Sequence, residues 1–392
     1  MFRAFWIASL GSNFGTWIHE VGAGWLMTSL DSSPEMVSGV RTAMGLPIVF
    51  LAIPAGALAD RLDRRQLLLM THFLLLATTA TLASLTFSGI ITAWTLLALT
   101  FVMGLGLVML VPTWQASIPE LVPRSEMPRA IALGSVSFNL ARAVGPAVGG
   151  LLIASMGVWV AFLINAFSFV GVIGVLLSWR RERKESSRGL SYRQSVYQGV
   201  RYVKRSGVLR NVMFGVGLFI FPASALWSLL PLVVKERLAW GPDGFGLVVA
   251  CVGIGAVIAA QVLPRFQSRL GSDRAVAVAM CIFASGLLLI SQATLPALVV
   301  VAAVVMGGGW MMTLTTLNST AQVNLPSRLR ARGMSCYLTA VAVSMSTGSF
   351  FWGQVARMTD LSSAQTIAAV TTLATAAISL RFHLSGIRSK SD

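Results

Sequence analysis

The sequence has few charged residues and few of the side chains on which enzyme chemistry depends. Only 11% of its 392 residues are Asp, Glu, Lys or Arg, too few to cover a water-facing surface of ordinary polarity. The three cysteines and three histidines are scattered, without the spacing of a metal site or a disulfide. An intramembrane enzyme needs convergent His, Asp, Cys or Ser side chains, so we expect no enzyme, no cofactor and no metal. A phosphate-binding G-x-x-x-x-G-K-[ST] loop is also missing, which argues against direct use of ATP.

Apolar sequence dominates the chain instead. Hydrophobic residues make up 55% of it, and the mean hydropathy is +0.76. A helix needs about 20 apolar residues to cross a bilayer, and the sequence contains twelve such runs. We therefore predict an all-α integral membrane protein with twelve transmembrane helices. The runs are 5–27, 36–59, 66–87, 94–112, 129–156, 158–179, 209–234, 245–264, 274–292, 296–317, 333–356 and 361–382.

Most of the 30 Lys and Arg residues lie in short loops between these runs. Placing both termini in the cytoplasm puts most of the basic residues inside, which the positive-inside rule favours. A net charge of +16 can also indicate a nucleic-acid partner. The loop positions favour orientation in a membrane, so we expect contacts with membrane lipids and no nucleic acid.

Small residues recur at one constant separation along the chain. The pairs are Gly104 with Gly307, Gly106 with Gly309, Gly145 with Gly348, and Gly150 with Gly353. A parallel repeat of this kind indicates two six-helix halves. The predicted domains are an N-terminal bundle at 1–179, a basic linker at 180–208, and a C-terminal bundle with a short cytoplasmic tail at 209–392. The second part of the linker fits either an amphipathic helix on an anionic leaflet or a solvated segment.

A charged hairpin, GALADRLDRRQLL from Gly56 to Leu68, separates the second and third apolar runs. It resembles the loop between helices 2 and 3 of the major facilitator superfamily, although Asp63 stands where most members carry glycine. A solvated turn of ordinary function is the alternative interpretation. The proposed gating-loop residues are Gly56, Asp60, Arg61, Arg64 and Arg65.

Further motifs resemble one branch of that superfamily, which includes the enterobactin exporter and related efflux proteins. They are the first span, the stretch IPELVPRSEMPRAIAL from Ile118, and NLARAVGPAVGG from Asn139. The resemblance implies the major facilitator fold, two pseudo-symmetric six-helix bundles, in a proton-driven exporter of small molecules across a bacterial inner membrane. It also implies that Asp60 contacts the start of helix 11 and helps to close the cytoplasmic side. We expect a monomer.

Two charged residues fall inside predicted spans. Glu20 shares one helical face with Asn13 and Thr16, and Arg142 lies in the middle of the fifth span. A carboxylate inside a span costs roughly 2.5 to 3.5 kcal/mol unless it is paired or hydrated. Glu20 and Arg142 are therefore our candidates for proton coupling. A structural ion pair of Glu20 with Arg41 or Arg142 is the alternative.

Other polar and aromatic residues inside spans are candidates for a substrate cavity. Tryptophan also anchors helices at membrane interfaces, so that role stays open for the two tryptophans. The candidates are Asn13, Thr16, Asn139, Asn165, Trp227, Trp310 and Asn318.

The fifth span carries a motif that resembles the antiporter signature g-x-x-x-G-P-x-x-G-G. Proline removes a backbone donor from a helix, while glycine lets helices approach closely. A hinge at this point is the functional interpretation, and simple packing is the alternative. The hinge residues would be Gly145, Pro146, Gly149 and Gly150.

The predicted function is proton-coupled export of a small amphipathic molecule, drug-like or siderophore-like, by alternating access. Three alternatives use the same fold: a lysolipid flippase, an importer of small solutes, and a membrane receptor or scaffold that transports nothing.

Overall fold

The computed structural model describes residues 2–123, 125–179, 192–326 and 329–381. Within these ranges the chain consists of helices joined by short turns, without a strand. A backbone surrounded by lipid must satisfy its polar groups internally, and a helix does so within one segment.

Twelve α-helices can be described, one of them extended by a single π-helical turn. Their bounds are α1 Phe2–Leu30, α2 Pro34–Arg61, α3 Arg64–Phe87, α4 Ala93–Leu121, α5 Met127–Met156, α6 Trp159–Ser178, α7 Tyr192–Arg205, α8 Gly207–Leu232 with the π-turn Val233–Arg237, α9 Pro242–Gln292, α10 Pro296–Asn324, α11 Arg330–Met358 and α12 Leu361–Ser379.

Nine helices in the described ranges are long and apolar enough to cross a membrane. One of them, α9, has 51 residues, about 76 Å at 1.5 Å per residue and more than twice the bilayer core. Gly271 interrupts it with φ 72° and ψ 164°, so its arms, 242–270 and 272–292, are each long enough for one crossing. Because α1 and α11 are not among the nine, the count of twelve crossings stays a prediction.

The helices group into two compact units. The first is Met1–Gly189 with Leu230–Ala250, and the second is Leu190–Leu229 with Cys251–Asp392. In the first unit α2 packs on α4, and α6 packs on both α1 and α3. The predicted domain boundaries at 179 and 209 stay a prediction.

The repeated glycines occupy equivalent helix crossings in the two units. A Cβ atom added to Gly104 of α4 would overlap the carbonyl oxygen of Met44 in α2. One added to Gly307 of α10 would overlap the carbonyl oxygen of Val252 in α9. Only glycine permits such backbone contact.

A second pair of crossings follows the same rule. In the first unit, a Cβ atom at Gly145 of α5 would lie 2.9 Å from Trp17 Cβ in α1. In the second unit, one at Gly348 of α11 would meet Ser224 and Phe221 of α8. The sequence repeat therefore corresponds to a repeat in helix packing.

The second part of the linker forms α7, which packs against the start of α11. Gly199 lies against the Arg332 side chain, and Arg332 Nη1 donates to Gln198 Oε1 at 2.7 Å. Both helices belong to the second unit. The helix proposed as one alternative is thus present, its contact with a lipid leaflet stays a prediction, and residues 180–191 lie outside the described ranges.

Candidate functional site

The polar face of α1 forms as its spacing predicts. Asn13 Nδ2 donates to Ser137 Oγ of α5 at 2.9 Å, whereas Thr16 Oγ1 donates to the carbonyl oxygen of Ser12 in its own helix. Asn13, Thr16 and Glu20 are all half-buried. The face is therefore polar and partly accessible, and Asn13 joins it to α5.

Glu20 forms an ion pair with Arg41 of α2. Arg41 Nη1 lies 2.9 Å from Glu20 Oε2, and the two side chains are 27% and 21% exposed. The pairing balances the charge of a carboxylate that lies inside a predicted span. The pairing of Glu20 with Arg41 is the first alternative that the sequence left open.

Arg142 lies near the middle of α5 and interacts electrostatically with Glu20. Its guanidinium makes no hydrogen bond to any side chain or carbonyl in the described part of the chain, and it is half-buried. Three charged residues from three helices therefore meet in the first unit with a net charge of +1. We call these three the charge cluster: Glu20, Arg41 and Arg142.

Asn139 lies one turn before Arg142 on α5 and is exposed. Its Nδ2 donates to the carbonyl oxygen of Ser135 at 2.8 Å. Its side-chain oxygen accepts no hydrogen bond from the described residues of α5. Asn139 extends the polar surface beside the charge cluster.

Two polar residues of α1 and α6, His19 and Asn165, are buried instead. Asn165 of α6 has no exposed surface and packs against Gly15 of α1, with its Oδ1 3.2 Å from Ser168 Oγ. His19 is also fully buried, and its ring meets that of Phe162 edge-on with centroids 4.9 Å apart. Asn165 thus lies in the α1–α6 interface, and its role in a cavity stays a prediction.

In the second unit, the two candidate tryptophans contact each other. The ring centroids of Trp227 in α8 and Trp310 in α10 are 5.6 Å apart at an interplanar angle of 77°, and each residue is 8% exposed. Phe219 and Phe283 also contact the Trp310 ring. Asn318, farther along α10, is half-buried and accepts a hydrogen bond from Gln322. A role of these residues in substrate binding stays a prediction.

The charged hairpin is fixed to neighbouring helices by its arginines. Arg64 Nη1 lies 2.7 Å from Glu120 Oε1 of α4. Arg65 donates through Nε and Nη2 to the carbonyl oxygens of Leu176 and Leu177, at 2.8 and 2.9 Å. These carbonyls belong to the last turn of α6, where a cation is favourable.

Asp63, the departure from the family pattern, is the N-cap of α3. Its Oδ1 accepts from the backbone N–H of Gln66 at 2.9 Å, as N-capping aspartates do. The backbone of α2 is helical to Arg61, but the side chains of Asp60 and Arg61 and the surroundings of Gly56 lie outside the described part of the structure. Their role in gating stays a prediction.

The glycines of the fifth span bring α5 against two other helices. Gly149 packs on Ile18 of α1, where an added Cβ atom would lie 3.2 Å from Ile18 Cα. A Cβ atom at Gly150 would lie 2.5 Å from the carbonyl oxygen of Pro242 at the start of α9. A Cβ atom added to Gly246 of α9 would in turn overlap the carbonyl oxygen of Pro146. The α5 helix runs through Pro146 without interruption, so the motif provides close packing, and a hinge stays a prediction.

Neither Arg41 nor Glu120 was predicted as a site residue. Arg41 was named only as a possible partner of Glu20. Glu120 closes the fourth helix, and only the helix packing reveals that Arg64 reaches it. A charged residue inside a predicted span is the signal that would have drawn attention to Arg41, whereas Glu120 lies beyond the fourth predicted span and carries no such signal.

Two repeated helical units, with a charge cluster inside one of them, define a multi-pass membrane transporter. The arrangement matches solved transporter structures at TM-scores of 0.76 for a variant of the nucleoside transporter NupG and 0.75 for the peptide transporter POT. The NupG match has 14% sequence identity and covers 97% of this chain and 99% of that one. The POT match has 13% identity and covers 97% and 93%. These likenesses establish the major facilitator fold.

The chain belongs to the major facilitator superfamily, in the family described as transmembrane secretion effectors, whose model matches residues 1–392. It is 24% identical over 272 residues to the staphyloferrin A transporter of Staphylococcus aureus, covering 69% of this chain and 68% of that protein. It is 24% identical over 292 residues to the uncharacterized transporter YfiS of Bacillus subtilis, covering 72% and 66%. It is 26% identical over 278 residues to the multidrug efflux pump Tap of Mycolicibacterium fortuitum, covering 67% of each. The protein is a transporter and not an enzyme.

Proposed function

We propose that this protein is a proton-coupled exporter of a small amphipathic molecule in a bacterial inner membrane. The relatives whose names specify a function are a siderophore transporter and a multidrug efflux pump, which supports export of a siderophore-like or drug-like compound. The proposal places both termini in the cytoplasm, because most basic loop residues then lie inside. The protein acts as a monomer that alternates between two openings.

The observation that carries the proposal is the ion pair between Glu20 and Arg41, with Arg142 close enough to interact. Ionisable residues inside spans are costly and mark ion or substrate pathways. A carboxylate that exchanges a guanidinium partner for a proton acts as a proton carrier, because its charge is balanced in both states.

Proton uptake by Glu20 would remove the charge that balances Arg41. Two guanidinium groups would then remain in the cluster without a carboxylate, which is unfavourable in a low-dielectric setting. A movement of α1 relative to α2 and α5 relieves this repulsion. In this mechanism, proton binding to Glu20 drives the conformational change. The substrate binds in the other conformation of the protein.

In this proposal, the charged hairpin closes the cytoplasmic side of the protein, and the glycine motif of α5 closes the outer side. The family resemblance implies that Asp60 helps to close the predicted cytoplasmic side, while Arg64 and Arg65 hold the hairpin to α4 and α6. On the predicted outer side, Gly150 and Gly246 let α5 and α9 meet at backbone distance. Gly145, Pro146 and Gly149 complete the proposed hinge in α5.

Inside-out membrane vesicles that contain the protein test the proposal directly. Uptake of dyes, antibiotics and catecholate siderophores is measured with an imposed proton gradient, with and without a protonophore. Uptake that depends on the gradient, and that Asp60→Asn weakens, supports a gated proton-driven exporter. Uptake that is unchanged after the gradient collapses would remove protons as the energy source.

A further inference from the structure

Within the part of the chain that the structure describes, Arg142 is the member of the charge cluster without a close partner. Glu20 already pairs with Arg41 at 2.9 Å, and that pair is electrically neutral. Arg142 shares only a longer-range attraction to Glu20 and forms no hydrogen bond within the described residues. The net charge of +1 on the cluster therefore resides mainly at Arg142.

The position of Arg142 excludes the membrane surface as the source of a balancing anion. It lies 14 residues before the end of α5 at Met156 and 15 after its start at Met127, about 20 Å from either end. That distance places it near the middle of a hydrocarbon core of about 30 Å. A lipid phosphate at either interface is out of reach.

We infer that Arg142 binds an anionic group of the transported molecule, so that the substrate carries at least one carboxylate or comparable oxyanion. A guanidinium presents its N–H donors in a planar fork that matches a carboxylate with two parallel hydrogen bonds. Asn139, one turn away, and Asn13, on the facing surface of α1, offer neutral polar groups for hydroxyls beside that anion. This inference rests on the proposed function and specifies its substrate class.

The same geometry disfavours a cationic substrate. Glu20 is the only acidic member of the cluster, and Arg41 already occupies one of its oxygens. A cation near Glu20 would meet two guanidinium groups, and like charges at such range repel strongly in an apolar setting. The charge cluster therefore favours anionic over cationic substrates.

Equilibrium binding to the purified protein in detergent tests this without any gradient. Fluorescein, which is anionic, and rhodamine 123, which is cationic, share one aromatic skeleton, and binding of each is followed by fluorescence anisotropy. We expect the wild type to bind fluorescein at least about tenfold more tightly, the size of a charge-assisted hydrogen bond. Equal affinity for the two dyes, or preference for rhodamine 123, overturns the inference.

Variants then assign the preference to one residue. Arg142→Gln should remove the preference for fluorescein and leave rhodamine 123 binding unchanged or stronger. Arg142→Lys keeps the charge but loses the planar fork, so it should retain part of the preference for fluorescein. Arg129→Gln, the same substitution at an exposed position of the same helix, is the matched control and should change nothing. If the preference survives in Arg142→Gln, the anion binds elsewhere. Neither result depends on proton-driven export, so the two proposals fail separately.

Discussion

Arg41 of α2 donates to Glu20 of α1 across 2.9 Å, and this contact joins two helices inside the first unit. An ion pair with both side chains about a quarter exposed can open without a large desolvation cost. That accessibility distinguishes it from a buried structural pair, in which the penalty of breaking is several kcal/mol.

The first prediction concerns coupling through Glu20. Glu20→Gln keeps the shape of the side chain but cannot release a proton, so proton-driven transport in vesicles should be lost while exchange of substrate down its own gradient continues. Glu126→Gln makes the same substitution at an exposed carboxylate in the turn before α5 and is the matched control. It should leave coupling intact. Normal pH dependence of transport in Glu20→Gln would reject Glu20 as the carrier.

The second prediction compares two adjacent arginines. Arg65→Ala removes two hydrogen bonds to the last carbonyls of α6 and should lower stability by about 2 to 3 kcal/mol, since bonds from charged donors are strong. Arg64→Ala removes a pair whose side chains are 26% and 22% exposed, which is typically worth about 0 to 1 kcal/mol. Chemical denaturation of the two variants in one detergent measures the difference. Equal losses would mean that Arg65 is not a helix cap.

The sequence predicted the helices from the length of its apolar runs and the polar face of α1 from helical periodicity. It did not decide between Arg41 and Arg142 as the partner of Glu20, since that choice depends on how α1, α2 and α5 rotate about their axes. Asn165 shows the same limit. A polar residue inside a span fits a cavity or a helix interface equally well, and only packing places it against Gly15.

Local chemistry explains the reinterpretation of Asp63. In the family pattern, Asp63 stands at a position where most members carry glycine. In the structure it caps α3 by accepting from the Gln66 backbone amide. The sequence reveals this role only when the exact first residue of the helix is known. The contact of Trp227 with Trp310 was likewise beyond the sequence, because it joins α8 to α10.

The third prediction concerns pH and the N-cap of α12. Ser363 donates its hydroxyl and its backbone N–H to Asp360, and these bonds hold the pKa of that carboxyl below its usual value. Because the folded pKa is the lower one, the cap contributes stability above the unfolded value of about 3.9 and loses it as the pH falls through the folded pKa. The effect is small because the carboxylate is exposed.

Asp360→Asn provides the comparison for that prediction. Asparagine caps helices about as well as aspartate but does not titrate. The thermal midpoint of the wild type should therefore fall below that of the variant as the pH is lowered from about 5 to 3, and the two curves should run parallel above pH 5. Parallel curves over the whole range would show that Asp360 does not link protonation to stability.

The fourth prediction uses two glycines of α5. A methyl group at Gly150 would come within 2.5 Å of the Pro242 carbonyl oxygen and 3.0 Å of Gly246 Cα. Both are backbone atoms, so α5 and the start of α9 must separate. Gly150→Ala should therefore destabilise the protein by about 1 to 3 kcal/mol, the usual cost of overpacking, and slow transport. Gly134→Ala, in the same helix but with nothing within 4 Å, should be neutral or more stable by up to about 1 kcal/mol, because alanine favours helix. If both variants transported at the wild-type rate, close contact of α5 with α9 would not be required in the transport cycle, and the signature in α5 would serve packing alone.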